Sequence, residues 1–130
     1  MPKESIKKNV ETSAAPAAIG PYSQGMVCGN LLFISGQLPL EPETGDFIEG
    51  GVETKTHQVI RNIKAVAEAA GAGLEQVVKT TIFLSDLNDF TTVNQVYGQY
   101  FGSVPPARST IQVAGLPKGS PIEMKAIVAL

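Results

Sequence analysis

Cysteine and histidine are nearly missing from this chain of 130 residues, which holds one of each, Cys28 and His57. A lone cysteine excludes a disulfide within the chain, and a single thiol suits a reducing compartment. One Cys and one His cannot build a zinc site, which takes roughly three or four soft ligands. Basic runs are missing too. None is longer than Lys7-Lys8, and the formal net charge is −2, so nothing forms an electrostatic footprint for nucleic acid. No apolar stretch approaches the about 20 residues of a membrane helix. The Met1–Lys8 segment lacks the apolar run of a secretory signal. The expectation is a cytoplasmic protein with no membrane or nucleic-acid partner. A Gly-rich phosphate loop is absent as well, because Gly71-Ala72-Gly73 closes a helical pattern instead of opening one.

What is present describes an ordinary globular chain. Hydrophobic residues make up 43% and charged residues 17%, a balance that excludes disorder. The length suits one domain, residues 1–130, with a core of its own. There is no internal repeat, and the soft Ala14–Ala18 stretch lies too near the N-terminus to divide two domains.

The hydrophobic pattern predicts β-β-β-α-β-α-β-β. A short first strand is read at Ser5–Asn9. Gly29-Asn30 is a two-residue turn signal that makes a hairpin of Met26–Cys28 and Leu31–Ser35. Pro39–Gly51 reads as a loop. Val52–Ala70 has helical period, with Val52, Val59, Ile60, Ile63, Val66, Ala67 and Ala70 on one face and His57, Arg61, Lys64 and Glu68 on the other. Gly71 then ends that helix. Gln76–Ser85 is a β-branched and aromatic strand. A second helix runs from a cap at Asn88 or Asp89 to Phe101, with Phe90, Val93, Tyr97, Tyr100 and Phe101 inward. Arg108–Ala114 and Pro121–Leu130 are the last strands. The crossover through the second helix makes its flanking strands parallel. The fold class is therefore α+β, a six-stranded mixed sheet with both helices on one face. In the last strand Ile122, Met124, Ala126, Val128 and Leu130 alternate with Glu123, Lys125, Ile127 and Ala129, so the uncovered face is also partly apolar. Self-association is the economical way to cover it.

Few residues could carry chemistry. Arg108 follows Pro105-Pro106-Ala107, which stiffens its approach, and on a pleated strand it shares a face with Thr110 and Gln112. A guanidinium so held can grip a carboxylate with two N–H donors. Glu123 lies among apolar neighbours, where desolvation raises a carboxyl pKa and suits proton transfer. Taken singly, each is more often an ordinary surface charge or ion-pair partner. Tyr22, in a turn after Gly20-Pro21, could line a pocket. Ser35-Gly36-Gln37 ends a strand, and Gly36 could permit close approach to a ligand. Asn94, beside the apolar face of the second helix, would bury an amide that backbone groups would satisfy. His57 should be solvated, and Cys28 should be a small core residue and not a nucleophile. Capping explains Asp86 and Asp89. A Ser-His-Asp triad would need His57, which the periodicity places in water.

Four stretches then point to a known family. Ala17–Gln24, Ile34–Pro39, Lys79–Leu87 and the pair Pro106–Ile111 with Ile122–Met124 resemble the motifs of the RidA/YjgF family, in order and over nearly the whole chain. The resemblance implies a chorismate-mutase-like fold and a homotrimer with ligand clefts between subunits. It implies cofactor-free, metal-free 2-iminobutanoate/2-iminopropanoate deaminase activity, the hydrolysis of reactive 2-imino acids to 2-keto acids and ammonia. Arg108 would bind the substrate carboxylate and Glu123 would position or activate water. Tyr22, Ser35, Gly36, Asn94 and Thr110 would line the site. Many relatives carry Cys where this chain has Thr110, which keeps a hydroxyl and gives up thiol chemistry. Two other readings stand beside the enzyme. One is a non-catalytic protein that binds small carboxylates such as keto acids, against which the presence of Arg108 counts. The other is a translation-inhibiting endoribonuclease, against which the acidic balance counts.

Overall fold

The computed structural model describes residues 6–130. Its strands are β1 (Lys7–Val10), β2 (Gly25–Cys28), β3 (Leu31–Gln37), β4 (Val77–Leu84), β5 (Ala107–Gln112) and β6 (Ile122–Ala129), and its helices are α1 (Val52–Ala69) and α2 (Phe90–Tyr100). Ser5, where the first strand was expected to begin, lies outside the described residues. The strands form one sheet in the order β1-β2-β3-β6-β4-β5. Only β4 and β5 pair in parallel; the other pairs are antiparallel. The β-α-β crossover through α2 accounts for that parallel pair, as its length requires.

The last strand occupies the middle of the sheet, between β3 and β4. It runs where a buried strand must, with Ile122, Met124, Ala126 and Val128 all turned into the core. Those side chains share one cluster with Leu32, Ile34, Ile82 and Leu84 of the sheet and with Val59, Ile60, Ile63, Val66, Val93 and Val96 of the two helices. Both helices therefore lie on one face. The opposite face carries Phe33 and Ile111, each more than two fifths exposed, beside Lys79, Thr81 and Lys125.

Several boundaries differ from expectation for local reasons. The second helix is preceded by a single 3-10 turn, Leu87–Asp89, and the carboxylate that caps it is Asp86, which accepts from the Asn88 N–H at 2.9 Å. Asp89 does stand at the N-cap position of α2, but its side chain makes no capping hydrogen bond. Within α2, Val96 is buried while Phe90 is partly exposed. Gly71 does end α1: at φ +83° its N–H bonds the Glu68 carbonyl and the Ala72 N–H bonds Ala67, the left-handed closure that glycine allows. Inside the expected 39–51 loop, Leu40 and Phe47 form a bridge.

Polar groups in the core tie loops to this frame. Asn62 of α1 is buried, and its amide donates to the carbonyls of Leu38 and Leu40 at 3.1 and 3.0 Å. Those bonds hold the chain that leaves β3. Truncation would leave the Leu40 carbonyl facing the interior without a donor and the Leu38 carbonyl with the Leu40 N–H alone. Asn62→Ala is expected to cost about 1–3 kcal/mol, read as a lower urea midpoint with an unchanged slope.

Candidate functional site

Glu123 owes its setting to the pleat of β6. Its neighbours Ile122 and Met124 point into the core, so Glu123 projects from the other face, beside Phe83 of β4. On its other side, the pairing of β3 with β6 slips between Ile34 and Gln37. Such a bulge re-aims the residues it contains, here Ser35 and Gly36. The Glu123 carboxylate packs against Gly36 so closely that a Cβ there would lie 2.8 Å from its carboxyl carbon. Glycine is required for contact, not for an unusual backbone angle. Burial pushes the Glu123 carboxyl above its ordinary range, and Lys125 pulls the other way.

Around this carboxylate lies a cleft of about 520 Å³, lined by Tyr22, Ser35, Gly36 and Lys118 among others. Its wall is the stretch around Pro16 and Ala17, pinned by the buried side chain of Gln24. The Gln24 amide accepts from the Thr12 N–H at 2.7 Å and donates to the Pro16 carbonyl at 2.8 Å. Ser35 is held from the same side, its hydroxyl donating to the Ser23 carbonyl at 2.6 Å. Tyr22 is about half exposed, at 52%, and its hydroxyl accepts a long bond from the Ile19 N–H at 3.4 Å. A larger groove of about 700 Å³ lies along β1 and the residues after it; it contains neither Arg108 nor Glu123.

Arg108 belongs to a different cleft, of about 470 Å³, where it meets Asn94, Gly98, Phe101 and Pro105-Pro106. Its backbone pairs with Thr80, a fully buried residue of the core face. Arg108 therefore rises on the helix side of the sheet, with Tyr97 and Phe90 of α2 beneath its guanidinium at 4.8 and 5.6 Å. Burial pushes the Tyr97 hydroxyl pKa up, against the pull of its bond to Thr80 and of the Arg108 charge. Thr110, two residues along the same strand, has a hydroxyl oxygen that is enclosed and unpaired among the described residues.

The seven residues picked from the sequence thus divide. Tyr22, Ser35, Gly36 and Glu123 share one cleft; Arg108 and Asn94 share another; Thr110 lines neither. Within one chain Arg108 and Glu123 sit on opposite faces of the sheet. Three expectations about individual residues fail. Asn94 is exposed instead of buried, because it lies off the Val93, Val96 and Tyr97 face of the helix, at the Arg108 cleft. Cys28 is exposed, since it ends β2 at the hairpin turn. His57 is not simply solvated: its Nδ1 lies 2.6 Å from the Tyr100 hydroxyl and joins the two helices. Among the described residues no three His, Cys, Asp or Glu side chains cluster as metal ligands. No helix of the described residues is long and apolar enough to cross a membrane.

Sequence reasoning passed over Gln24, Lys118 and the pairing of Tyr97 with Arg108. Gln24 offered a faint signal, an amide next to a strand beginning with Gly25-Met26-Val27. Lys118 offered none; its left-handed backbone, φ 58°, appears only in three dimensions.

Comparison with known proteins bears on the whole assembly of features. A family model described as Endoribonuclease L-PSP matches residues 12–130. The chain is 52% identical to Reactive Intermediate Deaminase A, chloroplastic, of Arabidopsis thaliana over 127 residues, 97% of this chain and 68% of that protein. It is 47% identical to the Homo sapiens 2-iminobutanoate/2-iminopropanoate deaminase over 122 residues, 94% of this chain and 89% of that one. Among solved structures, E. coli TdcF with bound serine superposes with a TM-score of 0.90 at 43% identity, covering 95% of this chain and 98% of that one.

The contact between Gly36 and Glu123 is open to test by titration. In the parent protein the Glu123 carboxyl, followed by carbon-13 NMR, should titrate above an ordinary glutamate. In Gly36→Ala the added methyl drives the carboxylate toward water, and its titration should fall back toward the ordinary range. An unshifted parental value would sink this account of the cleft.

Proposed function

This chain belongs to the Endoribonuclease L-PSP, or RidA/YjgF, family, and from that premise we propose that it hydrolyses reactive 2-imino acids to 2-keto acids and ammonia. The observation that carries the reading is Glu123, a partly desolvated carboxylate held against Gly36 in the wall of a cleft. Relatives named as imine deaminases support it, and a relative with bound serine supports a small amino-acid-like ligand.

The chemistry asks little of the protein. The imine carbon is already electrophilic. On the protonated imine, Glu123 takes a proton as a water oxygen bonds to the carbon and the C=N π pair moves to nitrogen, giving a neutral carbinolamine. Glu123 returns that proton to nitrogen, the C–N bond breaks with its electron pair leaving as ammonia, and the hydroxyl forms the carbonyl as its own proton passes back to Glu123 and on to the departing ammonia. Arg108 holds the substrate carboxylate through two N–H donors. Tyr22, Ser35, Gly36 and Asn94 line the bound molecule; Thr110, whose hydroxyl is enclosed outside both clefts, is placed there by the family resemblance alone. Orientation and one acid–base group supply the acceleration such a substrate needs.

Arg108 and Glu123 act together only if two copies of the chain meet. We propose a homotrimer in which the Glu123 cleft of one subunit faces the Arg108 cleft of the next. Contact between unlike patches is heterologous and closes into a three-membered ring when each subunit is turned a third of a revolution from the last. The exposed apolar residues of the sheet's open face, Phe33 and Ile111, support burial by a second copy. RNA cleavage, which the family description suggests, finds little support in a chain of net charge −2 without a basic track.

Three outcomes are expected. Arg108→Ala should abolish ammonia release from enzymatically generated 2-aminoacrylate while circular dichroism stays parental; full activity in that variant would refute the proposal. The rate at limiting substrate should fall as pH drops through the Glu123 pKa. Burial raises that pKa, so the acid limb should lie above the ordinary carboxylate range, and Glu123→Gln should remove both limb and activity. Finally, co-expressed Arg108→Ala and Glu123→Ala chains, each inactive alone, should regain about a quarter of parental activity, the share of shared sites that receive both intact residues. No recovery would place the site within one chain or discard the assembly.

A further inference from the structure

We propose that Tyr97, assisted by Phe90, is a positioning residue for the carboxylate-binding Arg108, a role that rests on the reading of Arg108 given above. The cause is visible in how the guanidinium is supported. Among the described residues its ring contacts are Tyr97 and Phe90, at 4.8 and 5.6 Å, and no carboxylate pairs with it. A carboxylate partner would fix the guanidinium and consume its N–H donors. An aromatic face attracts the cation through its quadrupole without accepting conventional hydrogen bonds, so the donors stay available to a ligand in the Pro105-Pro106 cleft.

The lower ring is itself immobilised. Tyr97 is buried, and its hydroxyl lies 2.7 Å from the Thr80 hydroxyl. Thr80 is also the residue of β4 that stands opposite Arg108 in the parallel register. On its other side the Tyr97 ring leans on Phe101, with centroids 4.4 Å apart. One rung of the sheet thus carries the cation and anchors the ring beneath it. Phe90 closes the other side at the start of α2, which explains why a large aromatic stays partly exposed there.

The test is calorimetric binding of a 2-keto acid, the product class, to the purified full chain, together with steady-state kinetics. Arg108→Ala should lose keto-acid binding. Tyr97→Leu should weaken it about 5- to 10-fold and Phe90→Leu about 2- to 3-fold, while Tyr97→Phe, which keeps the ring, should recover most of what Tyr97→Leu loses. In kinetics Tyr97→Leu should raise KM with little change in kcat, the mark of lost uniform binding. A merely structural Tyr97 would lower Tm and leave affinity and KM of the folded protein parental. Parental binding in both Tyr97→Leu and Phe90→Leu, with binding lost in Arg108→Ala, would overturn the cradle and leave the Arg108 reading standing. Parental binding in Arg108→Ala would overturn both. Should Tyr97→Leu not fold, Phe90→Leu decides alone, since its side chain is partly exposed and its truncation spares the core.

Discussion

The structure depends on the two-residue alternation of β6. That strand lies between β3 and β4, and every second side chain from Ile122 to Val128 is spent on the core under both helices. The residues between are forced onto the other face, so Glu123 must leave the core at the very rung where Ile122 and Met124 enter it. The same alternation on β5 sends Arg108 the opposite way, toward α2. A one-residue slip in β6 would exchange the faces and place Glu123 and Lys125 in the core, and one in β5 would carry Arg108 away from α2. Packing energy over the whole sheet thus sets where each charge can stand.

The two charges are managed by unlike means. Glu123 is partly stripped of water and pressed on a glycine, which favours its protonated form and makes it a proton acceptor of raised affinity. Arg108 rests on aromatic rings, which stabilise the cation and leave its donors unused. Had one been placed beside the other within the chain, each would have neutralised the other's function: an ion pair would lower the carboxyl pKa and occupy the guanidinium fork. Separation by the sheet keeps both reactive until a ligand and a second copy bring their clefts together under the proposed assembly.

Much of the architecture could be read directly from local pattern. The period of Val59, Ile60, Ile63 and Val66 announced α1, Gly71 announced its end, and Gly29-Asn30 announced the hairpin. The parallel β4–β5 pair followed from crossover length. What failed was specific to contacts distant in sequence. His57 has the spacing of a solvent residue, yet Tyr100 of the other helix reaches it. Cys28 has apolar neighbours, but the hairpin end leaves it uncovered. Asp89 takes the N-cap position of α2 without a side-chain bond, because a 3-10 turn that Asp86 caps precedes the helix.

For Arg108 and Glu123 the division is the same. That a stiffened arginine and a carboxylate flanked by apolar residues exist, on which strands and with which alternating neighbours, is legible in the order of residues alone. These are properties of adjacent residues, set by covalent order and the period of a pleat. That β6 inserts between β3 and β4, that the bulge at Ser35–Gly36 receives the Glu123 carboxylate, and that Tyr97 lies beneath Arg108 emerges in the packed fold. Those contacts join residues far apart in the chain, and their partners are selected by how the whole core packs.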